Sequence, residues 1–428
     1  MTQPAENNPG RAALDRLVRD EWPRVLASLV RSTGSFQLAE DALQDTVVRA
    51  LDLWSNEGVP PEPRAWLIVA ARRRAVDLLR REGKRTDKER ASIDLLDRGD
   101  EPIPETEELG DDVLRLLFTC CHPTLAVETQ TALALRSLCG LTTAEVARAL
   151  LMSEAAMAKR LVRARQKIAV AGIPFRVPGP KELPQRLQGV LSTIYLLFNE
   201  GYHATAGEHP LRHQLTSESI RLAALVDEVL PGEVAVIGLR SLLYLQDARS
   251  TARLDAEGEL VGLPDQDRSL WDLREIRAGM SLLGVALHHP SEFPHPYVAQ
   301  AAIAACHDIA PTWEATNWAA IVSWYDALVA VADTPVVRLN RAIAIGELEG
   351  PSAGLAELER IEHLTSYPPF VTARAELLAR AGRDAEARAE FRAAIELPGN
   401  DATKRELVRR LAESVESNPR TSADPDGT

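Results

Sequence analysis

Basic side chains recur at helical spacing between Ser153 and Ile168, and their chemistry suits the binding of nucleic-acid phosphates and base edges. Five basic residues stand against one acidic residue in this stretch, a local charge of +4. Met157, Leu161 and Ala164 lie at i, i+4 and i+7, so we expect them on the inner face of a helix. Four of the five basic side chains then share its outer face: Lys159, Arg160, Arg163 and Lys167. The alternative explanation is a basic, solvated helix in a bundle.

A second basic segment runs from Arg64 to Arg90, with ten basic and four acidic residues and a net charge of +6. Its pattern predicts a helix that buries apolar residues in alternating turns, namely Trp66, Leu67, Val69, Ala70, Val76 and Leu79. The same pattern exposes a set of arginines, namely Arg72, Arg73, Arg74, Arg80 and Arg81. Guanidinium groups clustered in this way are typical of a surface that contacts phosphates.

Acidic and amide side chains form a compact patch on a predicted helix upstream of this segment. The apolar face of that helix comprises Leu38, Ala42, Thr46 and Ala50 together with Leu43, Val47 and Leu51. The patch projects away from that face and comprises Glu40, Asp41, Gln44 and Asp45. Charged and amide groups on an exposed helix face suit a reversible, polar interface with another protein.

Capping signals place the basic helix that follows Ser153 within a helix-turn-helix. Thr142 can cap a first helix, and Glu145 three residues later completes a capping box. Leu151 and Met152 form the short turn, and Ser153 caps the second helix. The apolar face of the first helix comprises Val146, Ala149 and Leu150. Such a motif places its second helix in the DNA major groove.

Histidine and cysteine residues do not form a recognisable metal site in the sequence. His209 and His213 stand at i, i+4, but Pro210 intervenes, and with His203 they do not make a His-Glu-x-x-His motif. The run 120–122, Cys-Cys-His, lacks the Cys-x-x-Cys spacing of a tetrahedral ion site and is typical of a buried helix end. We therefore predict no catalytic residue, no metal ion and no cofactor, and a protein that is not an enzyme.

Two polar motifs in the second half of the chain remain without an assigned role. They read Asn199-Glu-Gly-Tyr202 and Asp265-Gln-Asp-Arg-Ser-Leu-Trp271. Two interpretations stay open, since polar side chains serve both. The motifs are either helix caps and buried hydrogen-bond networks that join helices, or the lining of a ligand pocket.

The chain resembles a bacterial sigma factor of the extracytoplasmic-function group, which has only sigma regions two and four. The motifs that carry this resemblance are, in order, AEDALQD, PRAWLIVAARRRAVDLLRRE and SEAAMAKRLVRARQKI. Four further motifs resemble a subgroup with a long helical extension of tetratricopeptide-like character, namely TCCHPTL, YLLFNEGY, LPDQDRSLWD and VRLNRAIAI. The resemblance implies an all-α protein that binds core RNA polymerase and promoter DNA and initiates transcription.

The resemblance and the composition together divide the chain into six segments. They are sigma region 2 over 11–85, an acidic linker over 86–108, the helix-turn-helix domain of region 4 over 109–172, a helical extension domain over 181–335, tetratricopeptide-like repeats over 336–415 and a disordered tail over 416–428. The repeat is indicated by Gly350 and Gly382, each followed by a similar Ala-rich stretch. The linker is either a solvated tether or a mimic of nucleic acid.

The resemblance implies that the polar patch of Glu40, Asp41, Gln44 and Asp45 docks on the coiled coil of the largest polymerase subunit. In region 4, Ser153 and Glu154 open the recognition helix of the −35 element, and three basic residues reach bases or phosphates: Lys159, Arg160 and Arg163. The wider group often has Thr and Lys near Ala156 and Ala158. Their absence here suggests apolar contacts and a different −35 sequence.

In region 2 the resemblance implies contacts with the −10 element by Trp66 and the five arginines Arg72, Arg73, Arg74, Arg80 and Arg81. The loop from Ser55 to Pro63 is expected to hold a base flipped out of the duplex. Trp54 and Trp66 either line that pocket or belong to the core. In the wider group an Asn is common where Arg73 stands, which puts base-specific readout at this position in doubt.

Composition separates the two halves of the chain. The net charge of −13 arises mainly after residue 172, since residues 1–172 carry −1 and residues 173–428 carry −12. The polar residues 1–11 do not form a signal sequence, and no apolar run approaches the ~20 residues of a membrane span. Four cysteines, two of them adjacent, do not make a disulfide framework. We therefore expect a cytoplasmic protein that does not associate with a membrane.

Helical periodicity continues through the extension. It predicts helices over Leu183–Asn199, Thr216–Leu230, Glu233–Thr251, Asp267–Leu287, Pro296–Ile309, Trp318–Ala332 and Val336–Leu348, with a loop over Ala252–Asp265. Two schemes remain open for this acidic segment. It braces the two sigma regions or touches polymerase, or it folds over the basic helices and inhibits them. An unknown protein or ligand is a further possible partner of the extension.

Two other functions compete with the sigma-factor hypothesis. The first is a helix-turn-helix regulator that binds DNA without polymerase and uses the repeats as a sensor. The second is a helical scaffold or enzyme in which the basic N-terminal part has no functional role. Start-site-specific transcription with core polymerase distinguishes the three.

Overall fold

The computed structural model describes residues 9–82, 106–138, 140–173, 175–179, 181–204, 210–290, 294–362, 364, 366–397 and 399–416. Within these residues the protein has eighteen α-helices, short 3-10 turns and no strand, apart from one isolated antiparallel bridge between Leu254 and Leu260. The all-α prediction is therefore confirmed. The predicted acidic linker up to residue 105 and the predicted tail after residue 416 lie outside the described residues, as does His209.

Contacts divide the chain into two compact units, Met1–Leu197 and Phe198–Thr428. The first eight helices are α1 Pro9–Thr33, α2 Phe36–Glu57, α3 Pro63–Glu82, α4 Thr106–Cys120, α5 Val127–Leu138, α6 Thr143–Ala149, α7 Glu154–Ala171 and α8 Leu183–Tyr202. The next ten are α9 His213–Val229, α10 Val234–Asp247, α11 Leu273–Leu287, α12 Pro296–Asp308, α13 Trp318–Val331, α14 Pro335–Leu348, α15 Pro351–Leu358, α16 Pro368–Arg380, α17 Asp384–Glu396 and α18 Asp401–Glu416. Helix α8 spans the division. None of the described helices is long and apolar enough to cross a bilayer.

Helices α1, α2 and α3 pack against one another as a three-helix group. A tight turn separates α1 from α2, where Gly34 adopts a positive φ of 66° that favours glycine. Ser35 then caps α2, because its side chain accepts a hydrogen bond from the backbone N–H of Leu38. The group is therefore held by a short connection and a capped helix start.

The buried face of α3 differs from the predicted one. Val69 is 38% exposed and Trp66 is only partly buried, whereas Ile68, Ala71 and Ala75 are fully buried. The prediction that Val69 is buried was therefore wrong. Helix α3 contacts both α1 and α2, and this two-sided packing selects the stripe of residues 68, 71 and 75 at i, i+3 and i+7.

Helices α4 to α7 form the second group of the first unit, and α5, α6 and α7 contact one another. The predicted capping box is present, since Thr142 accepts from the N–H of Glu145 and the Glu145 carboxylate accepts from the N–H of Thr142. Residues 150 and 151 form the turn before Ser153, and Leu151 has a positive φ of 52°. The helix-turn-helix is therefore built from the predicted local signals.

The first half of α8 packs against the helix-turn-helix group within the first unit. Arg186 Nη1 donates a 2.8 Å hydrogen bond to the Phe118 carbonyl, and Arg186 is 4% exposed. Cys120 and Cys121 are buried at the end of α4, as predicted for a helix end. Cys121 Sγ lies 3.9 Å from Thr193 Oγ1, and burial raises the pKa of this thiol to about 12. The two thiols are therefore packing groups.

In the second unit most helices pack on their neighbours in the chain, from α9 through to α18. The turns between α14 and α15 and between α16 and α17 each contain a glycine with positive φ, 102° at Gly350 and 73° at Gly382. These are the two glycines of the predicted repeat, and its assignment as tetratricopeptide-like stays a prediction. Each of the seven helices predicted between residues 183 and 348 is present. The one predicted from Asp267 begins at Leu273 instead, because the Asp272 carboxylate caps it.

Candidate nucleic-acid interface

Helix α7 has two chemically distinct faces. Its inner face is buried, with Met157, Leu161 and Ala164 at most 2% exposed. Its outer face presents Lys159 and Arg163 to solvent and Arg160 partly so. The predicted division of this helix into apolar and basic faces is therefore confirmed. The arrangement suits electrostatic contact with phosphates, which needs exposed cations on a rigid element.

The start of α7 is exposed and held by a cap. The Ser153 hydroxyl accepts a 3.4 Å hydrogen bond from the N–H of Ala156, and Glu154 lies in the first turn. Ser153, Glu154 and Ala156 are all exposed. Side chains at this end are the ones that reach base edges when a recognition helix enters a major groove.

A groove of about 500 Å³ runs along the basic face of α7. Lys159, Arg160 and Arg163 line one side, and Ala126 and Thr129 line the other. A further lysine of this face is already engaged, because Lys167 Nζ donates to the Thr124 carbonyl. Three of the four predicted outer cations therefore border the groove without a protein partner among the described residues.

A larger cavity of about 660 Å³ lies between α2 and α3. Pro60 and Pro61 of the predicted base-holding loop line it, together with Trp66, Arg73 and Arg74. Prolines, an indole ring and cations provide an apolar wall beside positive charge, which suits an unstacked base and its phosphate. The structure thus brings the loop and two of the predicted arginines to one cavity.

The two tryptophans of this region differ in their surroundings. Trp54 is 2% exposed and packs with Leu14 and Ala50, so it belongs to the core. Trp66 lies edge-on to Trp54, with ring centroids 5.4 Å apart, and its other side borders the cavity. Of the two candidates, Trp66 alone lines the cavity in the described structure.

The arginines of α3 are not equivalent. Arg73 and Arg80 are exposed and Arg72 is partly buried. Arg74 departs from the prediction, because its Nε donates a 2.7 Å hydrogen bond to the carboxylate of Asp45 on α2. This pair balances the charge of Arg74 and also engages Asp45, one member of the predicted acidic patch. The side chain of Arg81 lies outside the described residues.

The acidic and amide patch is only partly exposed. Asp41 and Gln44 are exposed, but Glu40 is 2% exposed, so its predicted outward projection was wrong. Glu40 accepts a 2.6 Å hydrogen bond from Arg165 Nη2 on α7. Burial raises the pKa of Glu40, and the positive charges of Arg165 and Arg136 oppose that rise. Region 4 therefore covers one member of the patch on region 2.

Arg165 and Arg136 are the residues that sequence reasoning missed. Arg165 follows the buried Ala164 and lies at the border between the two faces of α7, so its position alone does not separate a DNA contact from an internal pair. Its partner lies 125 residues away in the chain. Only a signal of spatial contact between the two segments could have found this pair.

Comparison with known proteins identifies both groups of helices. Residues 17–85 match the model of sigma-70 region 2, and residues 115–168 match that of sigma-70 region 4. A protein of Rhizobium meliloti (strain 1021), described as uncharacterized, is 40% identical over 407 residues, which cover 94% of this chain and 96% of that protein. The chain belongs to the sigma-70 family. This sigma-70 family protein is therefore a DNA-binding transcription initiation factor, and its two regions imply core RNA polymerase and promoter DNA as partners.

A third segment of the sigma-70 family protein has a separate match. Residues 186–287 match a family of unknown function, DUF6596. This segment begins on α8 and ends with α11. No solved structure matches the chain.

Proposed function

We propose that the protein is a sigma factor of the extracytoplasmic-function type, which binds core RNA polymerase in the cytoplasm, recognises −35 and −10 promoter elements and starts transcription without being an enzyme itself. The observation that carries this proposal is the two-faced helix α7 with its capped start. An exposed basic face above a fully buried apolar face allows the helix to enter a groove while its domain stays folded.

For the −35 element, we assign base-edge contacts to Ser153 and Glu154 at the exposed start of α7. Lys159, Arg160 and Arg163 border the groove beside it and supply contacts with phosphates or bases. Apolar side chains between these groups can contact a thymine methyl. The exposed side chain of Ala156 is an apolar group of this kind.

For the −10 element, we assign the flipped base to the cavity between α2 and α3. Its apolar wall recovers part of the few kcal/mol that unstacking costs, and Arg73 lies where the backbone phosphate would pass. The remaining arginines of α3 continue this path: Arg72, Arg80 and Arg81. Arg74 joins them only after its pair with Asp45 opens.

Docking on core polymerase begins, in this proposal, with Asp41 and Gln44, which are exposed. Glu40 becomes available only when Arg165 releases it, whereas the side chain of Asp45 is 46% exposed and has only to exchange its partner Arg74. Full engagement of the patch therefore requires α7 to move away from α2. Because region 4 covers Glu40, the binding of polymerase to the whole patch is coupled to the separation of regions 2 and 4.

For the extension we propose the bracing scheme. Its first helix supports region 4 within one compact unit, through Arg186 and the Phe118 carbonyl and through Thr193 beside Cys121. Removal of α8 would leave buried backbone and side-chain groups of region 4 without partners, which costs stability. The opposite scheme, in which the extension inhibits the sigma regions, is the alternative outcome of the truncation test below.

The experiment that tests the function combines the purified chain with core RNA polymerase and a promoter library. We expect start-site-specific transcripts that are strongly reduced by Asp41→Ala. Asp52→Ala is the matched control, since it removes an exposed carboxylate from the same helix outside the patch. DNA binding without stimulation of core polymerase would support the polymerase-independent regulator instead, and neither activity would support a scaffold.

The bracing scheme is tested by comparing the full chain with a truncation that ends after Leu197. This position keeps the helical segment that supports region 4, whereas a truncation near Gly172 would remove Arg186 and Thr193. Circular dichroism first verifies that the truncated chain is helical. Loss of transcription in the folded truncation supports a requirement for the second unit, which braces the sigma regions or touches polymerase, and higher transcription would overturn this scheme in favour of inhibition.

A further inference from the structure

A pocket of about 340 Å³ lies in the second unit, between the end of α8, the loop that follows α10 and the last helix, α18. It brings together the two polar motifs whose role the sequence left open. Tyr202 from the first motif and Gln266 from the second line the same pocket. Arg410, which is distant from both motifs in the chain, closes it from α18. Its size is that of a small-molecule site at the lower end of the usual range.

Arginines dominate the polar lining of this pocket, and their charges are not all balanced. Arg249 pairs with Asp308 at 3.5 Å, and Arg410 donates to Glu406 at 2.6 Å. Arg253 forms no ion pair with a carboxylate among the described residues, and its Nε is buried without a hydrogen-bond partner there. It lies instead over the ring of Tyr202, with its guanidinium carbon 3.9 Å from the ring centroid. The pocket therefore holds one uncompensated positive charge against an aromatic face, which favours an anionic occupant.

Two polar atoms in the lining indicate what the occupant must offer. Gln266 is 7% exposed, and its Nε2 donates to the Val261 carbonyl at 3.3 Å. Its Oε1 is buried without a hydrogen-bond partner in the described structure, as is Nε of Arg253. A buried acceptor and a buried donor without partners are costly, and a ligand with both complementary groups would satisfy them.

We propose that this pocket binds a small organic anion that carries at least one hydroxyl or amino donor. The acidic group of the ligand pairs with Arg253 and its donor faces Oε1 of Gln266. The aliphatic side chains of Leu260 and Leu263, which also line the pocket, contact its apolar body. This site goes beyond the sigma-factor function and does not depend on it.

The site also joins distant parts of the second unit. Near it, Asn400 Nδ2 donates to the Ala204 carbonyl, and Arg405 Nε donates to the Glu259 carboxylate at 2.7 Å. The first contact comes from the residue that precedes α18 and the second from α18 itself, and each reaches a segment more than a hundred residues earlier. A ligand between Arg253 and Arg410 would add a third connection, so binding stabilises this unit against unfolding.

The experiment uses isothermal titration calorimetry on the full chain with pairs of probes that differ in one group. The pairs are lactate with propionate, 4-hydroxybenzoate with benzoate, and glycerol 3-phosphate with glycerol. We expect saturable binding of at least one probe that has both the charge and the donor. The other probe of that pair, which lacks one of these groups, should bind at least about tenfold more weakly. The first two pairs test a carboxylate and the third tests a phosphate ester. Absence of saturable binding by all three complete probes up to about 10 mM overturns the proposal.

Two variants separate the two contacts. Arg253→Gln removes the unpaired charge and is expected to weaken every anionic probe about tenfold or more. Gln266→Leu is expected to abolish only the preference for the probe with the donor, a result that a purely structural role would not produce. The control is Arg360→Gln, which removes an exposed arginine outside the pocket and leaves binding unchanged. Unchanged binding of the probes by both pocket variants overturns the assignment. If Arg253→Gln does not fold, the test is Gln266→Leu alone, and an unchanged preference for the probe with the donor overturns the assignment.

Discussion

On helix α7 the cations Lys159 and Arg163 are exposed, whereas in the second unit Arg249 is 6% exposed and paired with Asp308. The first arrangement leaves charge available to a partner such as DNA, and the second satisfies charge inside the fold. Arginine content alone therefore does not identify a nucleic-acid surface. What distinguishes the two regions is whether the cation has a carboxylate partner: Asp308 pairs with Arg249, whereas no described residue pairs with Lys159 or Arg163.

The largest effect on stability is expected from the buried pair of the second unit. Asp308→Ala leaves Arg249 buried without its carboxylate, and such a loss costs about 3–5 kcal/mol of unfolding free energy. Urea unfolding at pH 8 measures it, since burial raises the pKa of Asp308 to about 6 and the carboxylate is ionised there. The control is Asp333→Ala, which removes the partner of the exposed Arg338 and should leave the midpoint unchanged. Equal effects of the two changes would mean that the buried pair contributes no more to stability than an exposed ion pair does.

The next effect concerns DNA binding and not folding. Arg160→Ala should weaken promoter binding about tenfold and reduce the slope of log K against log salt by about 0.9 if Arg160 contacts one phosphate. Fluorescence anisotropy over a salt series measures both, and thermal unfolding should show little change. Arg360→Ala is the control, because it removes an exposed charge from the second unit. Weaker binding with an unchanged slope would exclude a phosphate contact for Arg160.

A smaller effect is expected where the two sigma regions meet. Arg165→Ala removes the hydrogen bond that holds Glu40 against α7, so a larger fraction of molecules should present Glu40 to a partner. We expect affinity for core polymerase to rise by a few-fold, on the order of 1 kcal/mol, in a fluorescence binding assay. The control is Arg163→Ala on the same helix, whose side chain is exposed. Unchanged or weaker binding by Arg165→Ala would argue that polymerase does not use Glu40.

The smallest effect lies in the turn of the helix-turn-helix. Leu151 is 58% exposed and has a φ of 52°, a conformation that is unfavourable for residues with a Cβ. Leu151→Gly should therefore stabilise the protein by up to about 1 kcal/mol in urea unfolding. Its neighbour Leu150 has a φ of −103°, so Leu150→Gly should instead destabilise. Destabilisation of similar size by both changes would mean that the Leu151 side chain contributes more through packing than its backbone costs.

The sequence alone determined the helix-turn-helix and its two caps. The capping box of Thr142 and Glu145, the cap at Ser153 and the buried stripe of α7 all depend on residues within a few positions of one another. Local hydrogen bonds and a helical period of 3.6 residues are readable from spacing, so the helices of both units and the basic face were predictable. The family resemblance followed from the order of these same segments.

Only the tertiary structure decided which polar side chains are available. The pair of Glu40 with Arg165 and the meeting of Tyr202, Gln266 and Arg410 at one pocket each join residues far apart in the chain. Spacing carries no information about such pairs, because chain folding determines which helix faces meet and the same charged residue can face solvent or a partner. Residues close together in the chain therefore determine where each helix forms. Packing between segments far apart in the chain determines which of the charged side chains are exposed.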